Sequence, residues 1–102
     1  MSQAGADADA GAGVLMLRLS VPAQGGLRAV ASEVATRIAT YLGSALPEAE
    51  FAATTLEDLA RRVAPGGSEG DITFEFREVD RGLLIQARCD GRSCEARHPL
   101  PA

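Results

Sequence analysis

Apolar and polar residues alternate in three stretches of the chain, and this alternation predicts β-strands. The first stretch runs from Val14 to Pro22. Its apolar residues would share one face of an extended segment: Leu15, Leu17, Leu19 and Val21. The other two stretches, over 72–77 and 83–89, are separated by the turn sequence Asp80-Arg81-Gly82. Strands joined this closely are predicted to form an antiparallel hairpin.

Two further stretches carry apolar residues at spacings of three and four, which predicts amphipathic helices. The first begins at Leu27 and ends at Gly43, a residue type that closes many helices in the left-handed conformation. The second begins near Pro47, because proline is favoured in the first helical turn. It ends before the glycine and proline residues of 64–67.

The predicted order is strand, helix, helix, strand, strand. This order is typical of an α+β fold, a two-layer sandwich in which two helices cover one face of a mostly antiparallel sheet of about three strands. Residues 1–13 show no apolar periodicity and are predicted to be a disordered leader. We expect residues 14–91 to form the single domain, and residues 92–102, with two prolines, to form an irregular tail.

Composition limits the possible functions. The chain has 102 residues, 46% of them hydrophobic and none of them Trp, which is enough for one modest core. A formal net charge of -4 argues against binding to nucleic acid or to an anionic membrane, since both require a basic surface. The sequence has neither a membrane-spanning apolar run nor the pattern of a secretion signal, so a cytoplasmic location is expected.

The two cysteines are too few for a disulfide scaffold and are expected to be reduced thiols. Cys89, Cys94 and His98 have the spacing C-x4-C-x3-H, and these residue types can bind zinc. A closed zinc site needs four ligands, and only Asp90 or Glu95 could complete it locally. We therefore favour ordinary thiols and one surface histidine, with no metal site.

Three segments, in this order, carry a resemblance to a known family: LRLSVPAQGGLRAVASEV, TTLEDLARRVAPGG and ITFEFREVDRGLLIQARCDG. Together they resemble the histidine-kinase-like ATP-binding domain of anti-sigma-factor serine kinases, which belongs to the GHKL superfamily. The resemblance covers most of the chain. No single segment is diagnostic, and the order and spacing of the three carry the resemblance.

The resemblance implies a nucleotide site whose chemistry is incomplete in this chain. Glu57 matches the family's catalytic glutamate, which would act as the base. Arg61 stands where the family has an asparagine that ligates magnesium, and a guanidinium cannot ligate a cation. Cys89 stands where the family has the aspartate that binds adenine, with Asp90 one residue out of register. Only Gly91 corresponds to the family's glycine-rich lid.

We therefore expect a truncated, degenerate relative that has lost ATP hydrolysis, with no cofactor and no metal. Its expected role is that of a non-catalytic regulatory module in bacterial signalling or sigma-factor control. The resemblance implies a sigma factor, an anti-anti-sigma protein or a sensor-kinase component as the partner. Unpaired strand edges at Leu15–Val21 or Ile72–Phe76 would also allow two copies of the chain to pair as a homodimer.

Two alternatives remain open from the sequence. One is a minimal ATP-dependent protein serine kinase in which Glu57 is the base, ATP and magnesium bind, and a partner supplies the missing lid. In that case nucleotide would contact Glu57, Arg61, Cys89, Asp90 and Gly91. The other alternative is an unrelated small α+β domain, because shared architecture does not fix function.

Overall fold

A computed structural model describes residues 13–65 and 70–101 of the chain. Apart from Gly13, the predicted leader lies outside these described residues. The element order is β1 (Val14–Pro22), α1 (Arg28–Tyr41), α2 (Leu46–Val63), β2 (Asp71–Val79), β3 (Gly82–Cys89) and β4 (Arg92–Pro99). The strands form one antiparallel sheet in the order β1-β2-β3-β4. The predicted two-layer α+β fold is confirmed, with one strand more than the three that the sequence suggested.

The fourth strand replaces the irregular tail predicted for residues 92–102. β3 and β4 are joined through Asp90 and Gly91, which have positive φ angles of 50° and 81°. A pair of positive φ angles is typical of the two-residue type I′ turn, which matches the twist of an antiparallel hairpin. Asp80 and Arg81 form the equivalent turn between β2 and β3, with φ angles of 39° and 64°. Pro99 does not interrupt pairing because it is the last residue of an edge strand.

The first helix ends as the sequence predicts. Gly43 has a φ of +109°, its N–H donates to the Thr40 carbonyl at 3.0 Å, and the Ser44 N–H donates to the Ala39 carbonyl at 2.9 Å. This is the Schellman arrangement, which satisfies the last free carbonyls of a helix. It turns the chain directly into α2, where Pro47 lies in the first turn as predicted. The two helices therefore form an antiparallel pair.

The core lies between this helix pair and one face of the sheet, here called the helix face. α2 packs on β3 and β4, whereas α1 packs on α2 and reaches β1. Alanine makes up three of the four buried residues of α1 and three of the six of α2, which allows the helix axes to approach closely. The largest fully buried side chains come from α2, β2 and β3: Leu56, Leu59, Val63, Ile72, Phe74, Phe76, Leu83 and Ile85. Their alternation within the strands agrees with the predicted faces.

The face predicted for Leu15, at the start of β1, is wrong. The β1–β2 register shifts between Leu15 and Leu17, so Leu15 lies opposite Arg77 while Leu17 lies opposite Phe76. Residues opposite one another in an antiparallel pair share a face. The extra residue, Met16, packs against the core, and Leu15 is turned to the opposite side of the sheet. A β-bulge is not visible in the alternation of the sequence, which is why the prediction placed Leu15 with the core residues.

The face of the sheet opposite the helices is here called the open face. It carries Arg18 of β1, Glu75 and Arg77 of β2, and Gln86 and Arg88 of β3, as the register requires. Both described helices lie on the other side of the sheet. No helix among the described residues is long and apolar enough to cross a membrane.

Candidate functional site

Glu57 and Arg61, the two helix residues of the predicted nucleotide site, lie on α2 beside the start of α1. A Glu57 carboxylate oxygen accepts a hydrogen bond from the Ser32 hydroxyl at 2.9 Å. Arg61 is exposed and pairs with Asp58 at 3.5 Å. They line a groove of about 330 Å³ between the two helices. Their contacts are those of a helix–helix junction, in which Glu57 links α2 to α1.

The other predicted nucleotide residues lie at a different place, where β3 ends. Cys89 is buried in the core, and burial together with the charge of Asp90 raises the pKa of its thiol. Asp90 and Gly91 form the β3–β4 turn and line an open depression with Asp71 and Arg92. Among residues 13–65 and 70–101, none lines both the depression and the helix groove. The five positions that the resemblance assigns to one nucleotide site thus fall in two groups.

The possible zinc ligands do not converge. Cys94 and His98 lie four residues apart on β4, a separation of about 13 Å along an extended strand. His98 was expected at the surface, but it is buried, with its ring nitrogen 3.4 Å from the Ser44 hydroxyl. Burial lowers the pKa of His98, although the charge of Glu48 opposes this. The described residues contain no group of three or more His, Cys, Asp or Glu side chains that could hold a metal ion.

A charged cluster occupies the middle of the open face. Glu75 of β2 is only 5% exposed, and three arginines surround its carboxylate. Arg18 Nε and Arg88 Nη2 both donate to Glu75 Oε2, at 2.9 and 3.1 Å. Arg77 Nη2 donates to the other oxygen, Oε1, at 3.2 Å. These three arginines and Glu75 are called the arginine cluster below.

The cluster keeps Glu75 ionised. Burial by itself would raise the pKa of Glu75, but the hydrogen bonds from Arg18 and Arg77 and the charges of Arg18 and Arg88 act in the opposite direction. The net effect is a pKa below the ordinary value for a glutamate. A buried carboxylate is stable when it is paired and hydrogen-bonded in this way.

The cluster continues sideways across the sheet. Arg77 Nε donates to Gln86 Oε1 at 3.3 Å, and Gln86 Nε2 donates to Glu95 of β4 at 3.1 Å. Above this network lies a depression of about 660 Å³. Arg18, Glu75, Gln86 and Arg88 are among the residues that line it. All these residues occupy polar positions of the alternating pattern. The sequence does not reveal which polar residues of different strands become neighbours.

The two edges of the sheet differ in chemistry. β4, at one edge, carries Arg92, Glu95 and Arg97 within eight residues. Charged side chains on an edge strand oppose pairing with another chain. β1, at the other edge, has the sequence VLMLRLSVP, with Arg18 as its single charged residue. β1 is therefore the edge that accepts a further strand more readily. The other predicted edge, Ile72–Phe76, is wrong, because β2 is paired on both sides.

Exposed apolar side chains flank β1 on the helix side. Leu17 is 39% exposed and Val30 of α1 is 45% exposed. Val30 lies on the side of α1 opposite Ser32, whose hydroxyl donates to Glu57 of α2, as the helical period requires. Since α1 reaches β1 and α2 covers β3 and β4, this side of α1 faces outward beyond β1. Val14, Leu17, Val30 and the outer edge of β1 are called the β1 edge surface below.

Comparison with protein-family models, with curated proteins and with solved structures found no match to this chain. Its function is therefore inferred from its own side chains.

Proposed function

We propose that the protein is a non-catalytic regulatory module that binds a partner protein by adding an extended segment of the partner to β1. The supporting observation is the contrast between the two sheet edges, one protected by charges and the other apolar beside exposed side chains of α1. Strand addition uses the free backbone groups of an edge for affinity and the flanking side chains for specificity. It requires no cofactor.

The β1 edge surface determines the chemistry of the segment that would bind. On the helix side, the segment needs apolar residues at alternate positions to cover Leu17 and Val30. On the open face, its charged neighbour is Arg18, whose side chain is 59% exposed, and an acidic residue complements this charge. An alternating apolar and acidic segment is therefore the favoured occupant. A second copy fits less well, because its own Arg18 would lie on the same face of the joined sheet.

The family resemblance supplies candidates for the partner. A sigma factor, an anti-anti-sigma protein or a sensor-kinase component of a bacterial cell would contribute the segment, and a cytoplasmic location accompanies this role. The module would act by occupying a strand of its partner, which changes what else the partner can bind.

The test uses a short end-blocked peptide of alternating valine and glutamate, titrated into the isotopically labelled protein. We expect amide signals of β1 and α1 to shift. We also expect Leu17→Lys to weaken binding about tenfold or more, because it places a charge where the apolar side chains must pack. Phe51→Lys is the matched control, since Phe51 is an exposed apolar residue of α2 away from this edge. A lysine-for-glutamate version of the peptide should bind more weakly.

Two results would contradict the proposal. Equal effects of Leu17→Lys and Phe51→Lys would mean that the β1 edge surface is not the binding site. A concentration-dependent dimer that Leu17→Lys dissociates, measured by equilibrium sedimentation, would replace the partner with a second copy of the chain.

A thermal melt with magnesium-ATP distinguishes the module from the kinase alternative. A ligand at about 100 times its dissociation constant stabilises a protein by about 2.7 kcal/mol. In a domain of this size, that stabilisation raises the melting midpoint on the order of 10 °C. We expect no shift at millimolar nucleotide, because the predicted nucleotide residues line two separate depressions. A shift of that size, with phosphorylation lost in Glu57→Ala, would favour the kinase.

A further inference from the structure

We propose that the arginine cluster on the open face is a binding site for a small oxoanion, with phosphate as the best-fitting group. This site shares Arg18 with the strand-binding surface of β1, but the inference does not depend on strand binding. Such an anion is favoured by the arrangement of Arg18 and Arg88, by the charge of the cluster and by the N–H donors that remain free.

The geometry brings two guanidinium groups together. Arg18 and Arg88 come from β1 and β3, the strands on either side of β2. Both donate to the same carboxylate oxygen of Glu75, at 2.9 and 3.1 Å, so the two groups lie side by side. Glu75 is itself fixed from its other oxygen by Arg77. The carboxylate therefore acts as a positioning residue for the two exposed arginines.

The cluster contains more positive charge than its carboxylate requires. Arg77 is 12% exposed at its side chain and already pairs with Glu75. Arg18 and Arg88, at 59% and 61%, add two further cations around the same anion. Glu95 also lines the depression and bonds to Gln86 rather than to an arginine of the cluster, so three arginines stand there against two carboxylates. The chain as a whole is acidic, with a net charge of -4, so the cluster has the opposite sign of charge from the rest of the protein.

The exposed arginines also have donors to spare. A guanidinium carries five N–H donors in a planar fork. Among the described residues, Arg18 and Arg88 each donate one hydrogen bond, to Glu75. Their remaining donors face the depression of about 660 Å³, which also has Ser93 in its wall. This space is large enough for the phosphate group of a small phosphate monoester, together with part of the group to which the phosphate is attached.

The charge of Glu75 does not account for the second and third arginines. One guanidinium balances that charge, and each added guanidinium increases the repulsion within the cluster. An oxoanion between Arg18 and Arg88 relieves that repulsion and accepts bidentate hydrogen bonds, which guanidinium forks form well. A phosphate monoester, with about -1.5 to -2 charge at neutral pH, suits a net positive cluster better than a carboxylate does.

The test titrates inorganic phosphate into the full chain at constant ionic strength, with chloride as the balancing anion. We expect the Nε–H signals of Arg18 and Arg88 to shift in NMR spectra. Arg88→Gln should weaken phosphate binding about tenfold, since it removes a charge and a fork. Arg61→Gln is the matched control, because Arg61 is an exposed arginine of α2 paired with Asp58. Arg88→Lys keeps the charge but loses the fork, and it should recover binding only in part.

Parallel titrations identify the source of the anion. O-phosphoserine represents a phosphate monoester, and acetate represents an acidic side chain. Tighter binding of phosphoserine than of acetate is expected, and the reverse would assign the site to carboxylates. The proposal is overturned if chloride alone reproduces the shifts, or if Arg88→Gln and Arg61→Gln bind phosphate equally. Leu17→Lys should leave phosphate binding unchanged, so failure of strand binding and failure of this site can be told apart.

Discussion

Replacing Phe76 with alanine is expected to lower the free energy of unfolding by about 3–5 kcal/mol. Phe76 is fully buried in β2, with Leu17 on one side and Ile85 on the other as cross-strand neighbours on the helix face. Removing its ring both loses apolar burial and leaves a cavity that the surrounding strands cannot close. Domains of this kind are stable by only about 5–15 kcal/mol, so the variant should be close to unfolding. Urea denaturation followed by circular dichroism measures the change.

Phe51→Ala is the control for this substitution, because it removes the same ring from a position that is 63% exposed on α2. Surface substitutions of this type change stability by about 0.5 kcal/mol or less. Similar losses in the two variants would mean that Phe76 does not lie in the core between the sheet and the helices.

Glu75→Ala is expected to cost about 2 kcal/mol, because it leaves the nearly buried guanidinium of Arg77 without its carboxylate partner. Arg18 and Arg88 are exposed enough for water to replace the lost hydrogen bonds, which keeps the cost below that of a fully buried pair. Glu95→Ala is the matched control, since Glu95 is an exposed carboxylate at the end of the same network. Its cost should stay within about 0.5 kcal/mol.

The same variant should change the dependence of stability on pH. The pKa of Glu75 is lowered in the folded protein, so the unfolded chain binds more protons in the acidic range. The stability that Glu75 contributes is therefore complete above the unfolded pKa of about 4.3 and is lost as pH falls through the folded pKa. Glu75→Ala should have a flatter stability profile between pH 5 and pH 2. An unchanged slope would contradict the placement of this carboxylate.

Local sequence signals were sufficient for most of the fold. The spacing of apolar residues predicted both helices, and Gly43 predicted the end of the first helix. The backbone confirms the reason, because Gly43 has the left-handed conformation that closes the helix. The β2–β3 hairpin followed from its turn residues. β4 was missed although Asp90-Gly91 is a strong hairpin signal and Cys94, Ala96 and His98 alternate with polar residues. Pro99 and Pro101 suggested an irregular tail, but they lie at and beyond the last residue of the strand.

The candidate sites were less predictable. Arg18 and Glu75 are 57 residues apart in the chain, and they meet because of the register between β1 and β2. Register depends on packing over the whole sheet and on the bulge near Met16, which no local pattern reveals. The predicted nucleotide positions rested on family resemblance alone. The resemblance remains a hypothesis, and the described structure separates Glu57 from Cys89 into different depressions.

The connection between β1 and β2 has a consequence for how the chain folds. Arg77 and Gln86, on β2 and β3, are only 9 residues apart, whereas β1 must reach β2 across both helices. Contacts that are distant in sequence require costly loop closure and form slowly. The three C-terminal strands can therefore assemble first. During that time one edge of β2, a strand with the apolar residues Ile72, Phe74 and Phe76, remains unpaired. Until the N-terminal strand arrives, the most aggregation-prone edge of this protein is an internal strand of its final sheet.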